Sequence, residues 1–172
     1  MTALAAESMD RALVLVLLGS AIMAGVFFTF SNFVMPALAR IEWRAGMAAM
    51  RSINVTVLNR VFLGIFIGTA VLSAIVGLDA GLRYRGAASW LTIFGALCYV
   101  VGTFLVTGLG NVPLNDRLAE LDPDDPGARA FWHHYLQRWT SLNGVRAVAS
   151  ACAMTLFLAA LLFGAVDPGQ TR

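Results

Sequence analysis

Apolar residues gather along the chain into four continuous runs, at residues 12–34, 55–78, 90–110 and 143–166, separated by stretches rich in arginine, aspartate, asparagine and proline. Each run is close to the ~20 residues that an α-helix needs to cross bilayer hydrocarbon. The runs do not alternate as barrel strands do, and backbone in hydrocarbon must satisfy its own hydrogen bonds, so each run is expected to be helical. The expected fold is all-α, an integral membrane four-helix bundle that forms a single four-span domain over residues 1–172. The first run is longer than a signal-peptide core and follows Glu7 and Asp10 rather than a basic segment, so it is expected to stay as a span despite the Ala37-Leu38-Ala39 triplet beyond it.

The connections differ in character. Residues 39–54 carry Arg40, Arg44 and Arg51 among apolar positions, and read either as a short interfacial helix or as the start of span two. A short link with Asp79, Arg83 and Arg85 joins spans two and three. The third connection, residues 111–142, is the expected functional loop: prolines and acidic residues make a turn of 122–127, and a new helical pattern begins near Ala128 and runs into span four. Small residues recur at helix-packing spacing at Gly64 and Gly68, and at Ala21 and Gly25; packing within the bundle is the expected use, with a homo-oligomer contact as the alternative.

Composition narrows the function classes. Hydrophobic residues make up 59% of the 172 and charged residues 13%, against ~25% charged in soluble domains, and the mean hydropathy is +0.75. A net charge of +2 leaves no basic face for nucleic acid. All twelve basic residues are arginine, which excludes a P-loop lysine, a Schiff-base lysine and pyridoxal chemistry. Cys98 and Cys152 lie within apolar runs and are expected to be unpaired thiols. With Arg60 and Arg146 set aside as buried, loops one and three hold Arg40, Arg44, Arg51, Arg117, Arg129 and Arg138, against Arg11, Arg83, Arg85 and Arg172 opposite, which leans loops one and three toward the cytoplasm.

Polar residues gather at one end of the expected bundle. Ser31 and Asn32 close span one, Asn54, Asn59 and Arg60 open span two, Asn111 and Asn115 close span three, and Asn143 and Arg146 open span four. A central arginine costs about 2.5–3.5 kcal/mol on insertion scales, so intramembrane polar groups are functional candidates by default. Trp132, Tyr135, Trp139, Asn143 and Arg146 recur at steps of three and four, one stripe of a helix. Rings followed by an amide and a guanidinium suit a flat, apolar aromatic small molecule bearing oxygen; the competing reading is an interfacial aromatic belt with Arg146 reaching to headgroups. His133 and His134 adjoin the stripe, and one of them could serve as a general base near neutral pH or simply lie at the interface. A copper or iron centre would need one of them with Asp116 or Glu120, and no recognised ligand spacing is present, so no metal is expected. Asp122, Asp124 and Asp125 lack the alternation of a calcium loop and read as a solvated turn.

Residues 30–38 (Phe-Ser-Asn-Phe-Val-Met-Pro-Ala-Leu), Met50-Arg-Ser-Ile-Asn54 with Asn59, Asn111-Val-Pro-Leu-Asn115-Asp-Arg117, and Trp139 with Asn143 and Arg146 together resemble the anthrone oxygenase-like family of small four-span membrane proteins. The resemblance implies oxidation of anthrones to anthraquinones with molecular oxygen as co-substrate; because an anthrone has an acidic carbon whose anion can react with oxygen without a metal, no bound cofactor is expected. Chemistry applied to the matched positions then gives His133 or His134 as base, Trp132, Tyr135 and Trp139 as ring-stacking walls, and Arg146 with Asn143, Asn111 and Asn115 as oxyanion stabilisers. Asn32, Asn54 and Asn59 complete the expected substrate-binding set. Two other readings use the same residues: a carrier that binds an apolar aromatic or lipid without turnover, and a structural membrane subunit associating through Gly64 and Gly68.

Overall fold

The computed structural model describes residues 3–84 and 86–166, so Arg85 and Arg172 lie outside the described residues, as does the side chain of Glu7. Five helices are present among them. Helix α1 runs Ala3–Thr29 and continues through Phe30–Val34 and Met35–Leu38; α2 is Trp43–Thr56, α3 Arg60–Leu82, α4 Ala87–Glu120 and α5 Ala128–Val166. All but α2 are long and apolar enough to cross a membrane. Their outer faces expose Leu15, Leu18, Ile67, Val71, Leu162 and Phe163, which fits hydrocarbon as the surrounding solvent.

Local chemistry sets the breaks. The Glu42 carboxylate accepts from the Ala45 N–H at 3.0 Å and starts α2. Asn59 caps α3, its Oδ1 accepting from Val61 and Phe62 N–H at 3.1 and 3.0 Å while its Nδ2 donates to the Thr56 carbonyl. Residues 43–54 therefore belong to a separate helix and not to span two, with 39–42 as the turn before it. Gly86, at φ 77°, takes the left-handed conformation that turns the chain from α3 into α4. Residues 121–127 make the turn between α4 and α5, in which Asp122 accepts from the Asp124 N–H and Asp125 from the Gly127 N–H.

The four long helices form a ring in which α1 packs on α3 and α5, and α4 packs on α3 and α5. One core fills the bundle, with Val16, Met23, Phe27, Phe66, Tyr99 and Phe157 buried in it. A second lies at one end, where Met35, Met47, Met50, Leu118, Trp132, Tyr135 and Trp139 pack together. This end is built by projection. Helix α5 has 39 residues, ~58 Å at 1.5 Å per residue, about twice the ~30 Å of hydrocarbon. The expected functional loop of residues 111–142 is accordingly not a loop: all but 121–127 extends α4 and α5 as helix.

Amphipathic α2 lies across this projecting end. Arg51 on α2 donates from Nε to the Leu118 carbonyl at 2.8 Å and from Nη2 to the Leu121 carbonyl, satisfying acceptors that the end of α4 leaves free. Arg44 and Asp124 add an exposed ion pair at 2.6 Å. Gly46 permits the close approach, since a Cβ there would lie 2.9 Å from both the Leu38 carbonyl and the Trp132 ring.

The glycines that let helices meet are not those the spacing marks. A Cβ on Gly64, Gly68 or Gly25 would meet nothing within 4 Å, whereas on Gly19, Gly77 and Gly102 it would strike Thr69, Ala96 and Ala149. Gly64 and Gly68 instead line an apolar groove of about 270 Å³ between α1 and α3, so the expected use of this pair in packing the bundle is not what the fold shows. Four-residue spacing fixes that two small residues share a face, but not which way that face turns.

Candidate functional site

The polar residues converge because α1 and α4 change their winding as they approach the projecting end. Both adopt π-helical turns there, at Phe30–Val34 and at Cys98–Leu105 and Thr107–Asn111. The Met35 N–H reaches the Phe30 carbonyl and the Val112 N–H reaches the Thr107 carbonyl, each five residues back. Proline follows at once, Pro36 on α1 and Pro113 on α4. A proline ring offers no N–H and crowds the carbonyl four residues before it, and a widened turn relieves that crowding. Such turns also rotate the side chains that precede them, a common feature of functional sites. Here Ser31, Thr103, Thr107 and Asn111 all sit in the widened segments.

Opposite them, α5 presents the stripe. Trp132 and Tyr135 stack with centroids 5.6 Å apart and planes 14° off parallel, and Tyr135 stacks on Trp139 at 6.3 Å and 24°. Phe30 leans on Trp139 at 5.8 Å. Asn115 Oδ1 receives both the Tyr135 hydroxyl, at 2.8 Å, and the Trp139 indole N–H, at 2.9 Å. Asn54 Nδ2 completes the row from α2, donating to the Tyr135 hydroxyl at 3.4 Å. One turn deeper, Asn143 Nδ2 donates to the Phe27 carbonyl at 2.6 Å and to Ser31 Oγ at 2.7 Å, tying α5 to α1. Asn111 Nδ2 donates to the Trp139 carbonyl at 3.2 Å, tying α4 to α5.

Arg146 is the innermost member, with only 5% of its surface exposed. Its Nη2 donates to Asn143 Oδ1 at 2.7 Å and its Nη1 to Thr107 Oγ1 at 3.2 Å. The guanidinium carbon lies 4.4 Å from the centroid of the Phe27 ring and 5.1 Å from that of Trp139. Every one of these partners is neutral. The ion pairs seen among the described side chains, Arg44 with Asp124 and Arg83 with Asp79, are elsewhere. Arg146 Nε–H has no partner, and neither does Asn111 Oδ1, although both are buried. Ring faces and amide oxygens soften the burial of a cation, yet its full charge is left for an anionic group to neutralise.

The structure gathers Trp132, Tyr135, Trp139, Asn111, Asn115, Asn143 and Arg146 from the expected set, with Asn54 at the edge. Asn32 is exposed, and its neighbour Ser31 makes the contact instead. Asn59 is spent on the α3 cap, and Arg60, expected to be buried, is exposed. His133 and His134 are exposed, because α5 turns its buried stripe away from them, and the nearest ring contact of His134 is Phe131 at 6.4 Å. Among the described residues, no three His, Cys, Asp or Glu side chains gather as a metal site would require. Sequence reasoning missed Thr107 and Phe27; a threonine within an apolar run, six residues before Pro113, was a usable signal for the first, while nothing marked the second among the phenylalanines of span one.

Fold and site together define a small multi-pass membrane protein with a buried cation, walled by aromatic rings, at one end of its bundle. The sequence matches the profile of the anthrone oxygenase family over residues 54–156, and the chain belongs to that family. The matched stretch includes the whole α5 stripe and the α4 amides. No curated protein and no solved structure matches the chain.

Proposed function

We propose that the protein is a membrane-embedded oxygenase that takes a flat, apolar phenolic or polycyclic ketone of the anthrone type and oxidises its methylene carbon with molecular oxygen. The observation that carries this reading is the Arg146 guanidinium, buried, without a carboxylate partner, and held between Phe27 and Trp139 with its Nε–H free.

The chemistry follows from charge. Loss of a proton from the methylene opposite the ketone gives an enolate whose negative charge rests on the ketone oxygen. A buried cation favours that form over the neutral ketone, and its fixed position means little has to reorganise when the charge appears. The proton passes to water at the membrane face. Electrons of the enolate carbon then reduce oxygen, and the new C–O bond gives a peroxide on that carbon. Once protonated, the peroxide loses water as the second hydrogen leaves the carbon, and a C=O remains. The sum is CH2 + O2 → C=O + H2O, so the reaction needs no further reductant. Phe27 and Trp139 flank the cation where a fused ring system would lie. Asn143 and Thr107 hold the guanidinium in place. His133 and His134, exposed and off the stripe, take no part in this scheme.

The test is oxygen uptake by purified protein in lipid nanodiscs supplied with anthrone, compared with the spontaneous rate. Stimulated uptake that falls to the spontaneous rate in Arg146→Leu, with helix content and monodispersity unchanged, supports the proposal. Wild-type uptake no faster than the spontaneous rate contradicts it, and bound but unreacted anthrone would then indicate a carrier.

A further inference from the structure

Helices α4 and α5 meet along an antiparallel seam whose rungs are set by glycines. A Cβ on Gly110 would lie 3.0 Å from the Leu142 side chain, one on Gly102 would lie 2.6 Å from Ala149 Cβ and 3.9 Å from its Cα, and one on Gly95 would lie 2.9 Å from the Phe157 ring. At the middle rung the two backbones themselves come close. Cys98 lies four residues before Gly102 on α4, and Cys152 lies three residues after Ala149 on α5. In an antiparallel pair those two steps run the same way along the seam, and each is close to one helical turn, so both side chains return to the face that the glycine rungs define. The chain's two cysteines are therefore opposed at one level, close enough that charge on one acts on the other. Both are free thiols, Cys152 exposed on the outer surface of the bundle and Cys98 half-buried beside it.

We propose that Cys98 and Cys152 form a peroxide-oxidisable dithiol, a modification site at which an apolar organic hydroperoxide joins α4 to α5 through a disulfide. The surface around Cys152 faces hydrocarbon, which disfavours thiolates, so a water-borne oxidant meets a weak nucleophile in a solvent that it avoids. A hydroperoxide with an apolar body concentrates in that solvent instead. Cys152, the more exposed thiol, attacks the terminal peroxide oxygen; the O–O bond breaks, the sulfur is oxidised to a sulfenic acid and an alcohol leaves. Cys98 then attacks the sulfenic sulfur, the S–S bond forms, and the hydroxyl departs as water with the Cys98 proton. Two thiols and one hydroperoxide thus give one disulfide, one alcohol and one water. Opposition across the seam makes the second step intramolecular and sets it ahead of further oxidation. A disulfide needs Cα atoms roughly 4.4–6.8 Å apart, an approach that a seam lined by Gly95 and Gly102 allows. The bond ties the first residue of the π-helical segment Cys98–Leu105 to α5, six residues beyond Arg146.

The experiment treats the full chain in nanodiscs with cumene hydroperoxide or with hydrogen peroxide, alkylates the remaining thiols and digests with trypsin for mass spectrometry. The expected product is a single chain lighter by two hydrogen atoms, restored by reductant, in which tryptic peptides 86–117 and 147–172 are joined. Cumene hydroperoxide is expected to form it at least about tenfold faster than hydrogen peroxide at the same concentration, since its apolar body partitions into the bilayer. In Cys98→Ser, Cys152 should accumulate as sulfenic and higher acids with no joined peptides. Thiols that both stay open to alkylation, a Cys152 sulfinic acid beside a free Cys98 in the native chain, or disulfides between chains would overturn the inference, as would equal rates with the two peroxides. The native chain decides the matter even if Cys98→Ser does not fold.

Discussion

Asn143 supports Arg146, and a double-mutant cycle between them measures how unusual the buried cation is. In the folded protein Asn143 makes two neutral contacts, to the Phe27 carbonyl and Ser31, and one charged contact, from Arg146 Nη2 at 2.7 Å. Hydrogen bonds between membrane helices average ~0.6 kcal/mol in such cycles, so the neutral pair contributes about 1 kcal/mol. A bond to a charged group contributes about 1.5–3 kcal/mol, and its loss here strands a guanidinium nitrogen with no water to replace the partner. Asn143→Ala should therefore cost about 3 kcal/mol in the native protein but only about 1 kcal/mol in an Arg146→Leu background, a coupling of about 2 kcal/mol. Arg146→Leu alone should fall within about 1 kcal/mol of the native protein, since replacing a buried charge by an apolar side chain removes a desolvation cost along with its bonds. The assay is unfolding of the four proteins in mixed micelles by graded dodecyl sulfate, followed by helix content. Additivity within about 0.5 kcal/mol would refute the reasoning, because it would mean that Arg146 finds equivalent solvation without Asn143.

Three further outcomes follow from the packing. Gly46→Val should destabilise by about 1–3 kcal/mol, because its side chain would meet the Leu38 carbonyl and Trp132; Gly64→Ala and Gly68→Ala, which face open space, should be neutral or slightly stabilising in the same micelle assay. The His133→Ala/His134→Ala double variant should keep oxygen uptake within about twofold of the native rate, and a drop beyond tenfold would return a histidine to the chemistry. Arg51→Ala frees the carbonyls of Leu118 and Leu121 and should speed hydrogen exchange across residues 43–56 by at least about tenfold; unchanged exchange would show that α2 is held by its apolar face alone.

The spans were legible because a long apolar run in lipid has one structural solution. The turn at 122–127 was legible because aspartate and proline supply its chemistry. The α5 stripe was equally plain, since an unbroken helix converts steps of three and four directly into a face, and Asn143 and Arg146 lie three apart on it. Other parts depended on what spacing does not encode. Residues 112–120 fell within the expected loop because the apolar run ends at Gly110, whereas α4 carries its helix through them after a π turn, with Pro113 tolerated in the first turn that follows. The same device on α1 brought Ser31 and not Asn32 to the site, a one-residue difference that a 3.6-residue period cannot foresee. Asn59 and the histidines lie away from the buried cluster for a simpler reason: residue type shows what a side chain is able to do, and the packing of α3 and α5 determines where it points.

The central claim is that Arg146 stabilises a ligand as its oxyanion, and an anaerobic absorbance titration tests it without oxygen chemistry intervening. Anthrone added to the native protein in nanodiscs, with oxygen excluded, should develop the long-wavelength band of its enolate at a pH where free anthrone stays neutral, in one equivalent per chain, and Arg146→Leu should abolish the band. Anthrone that binds the native protein and remains neutral, or an enolate band of equal strength in Arg146→Leu, would contradict the account.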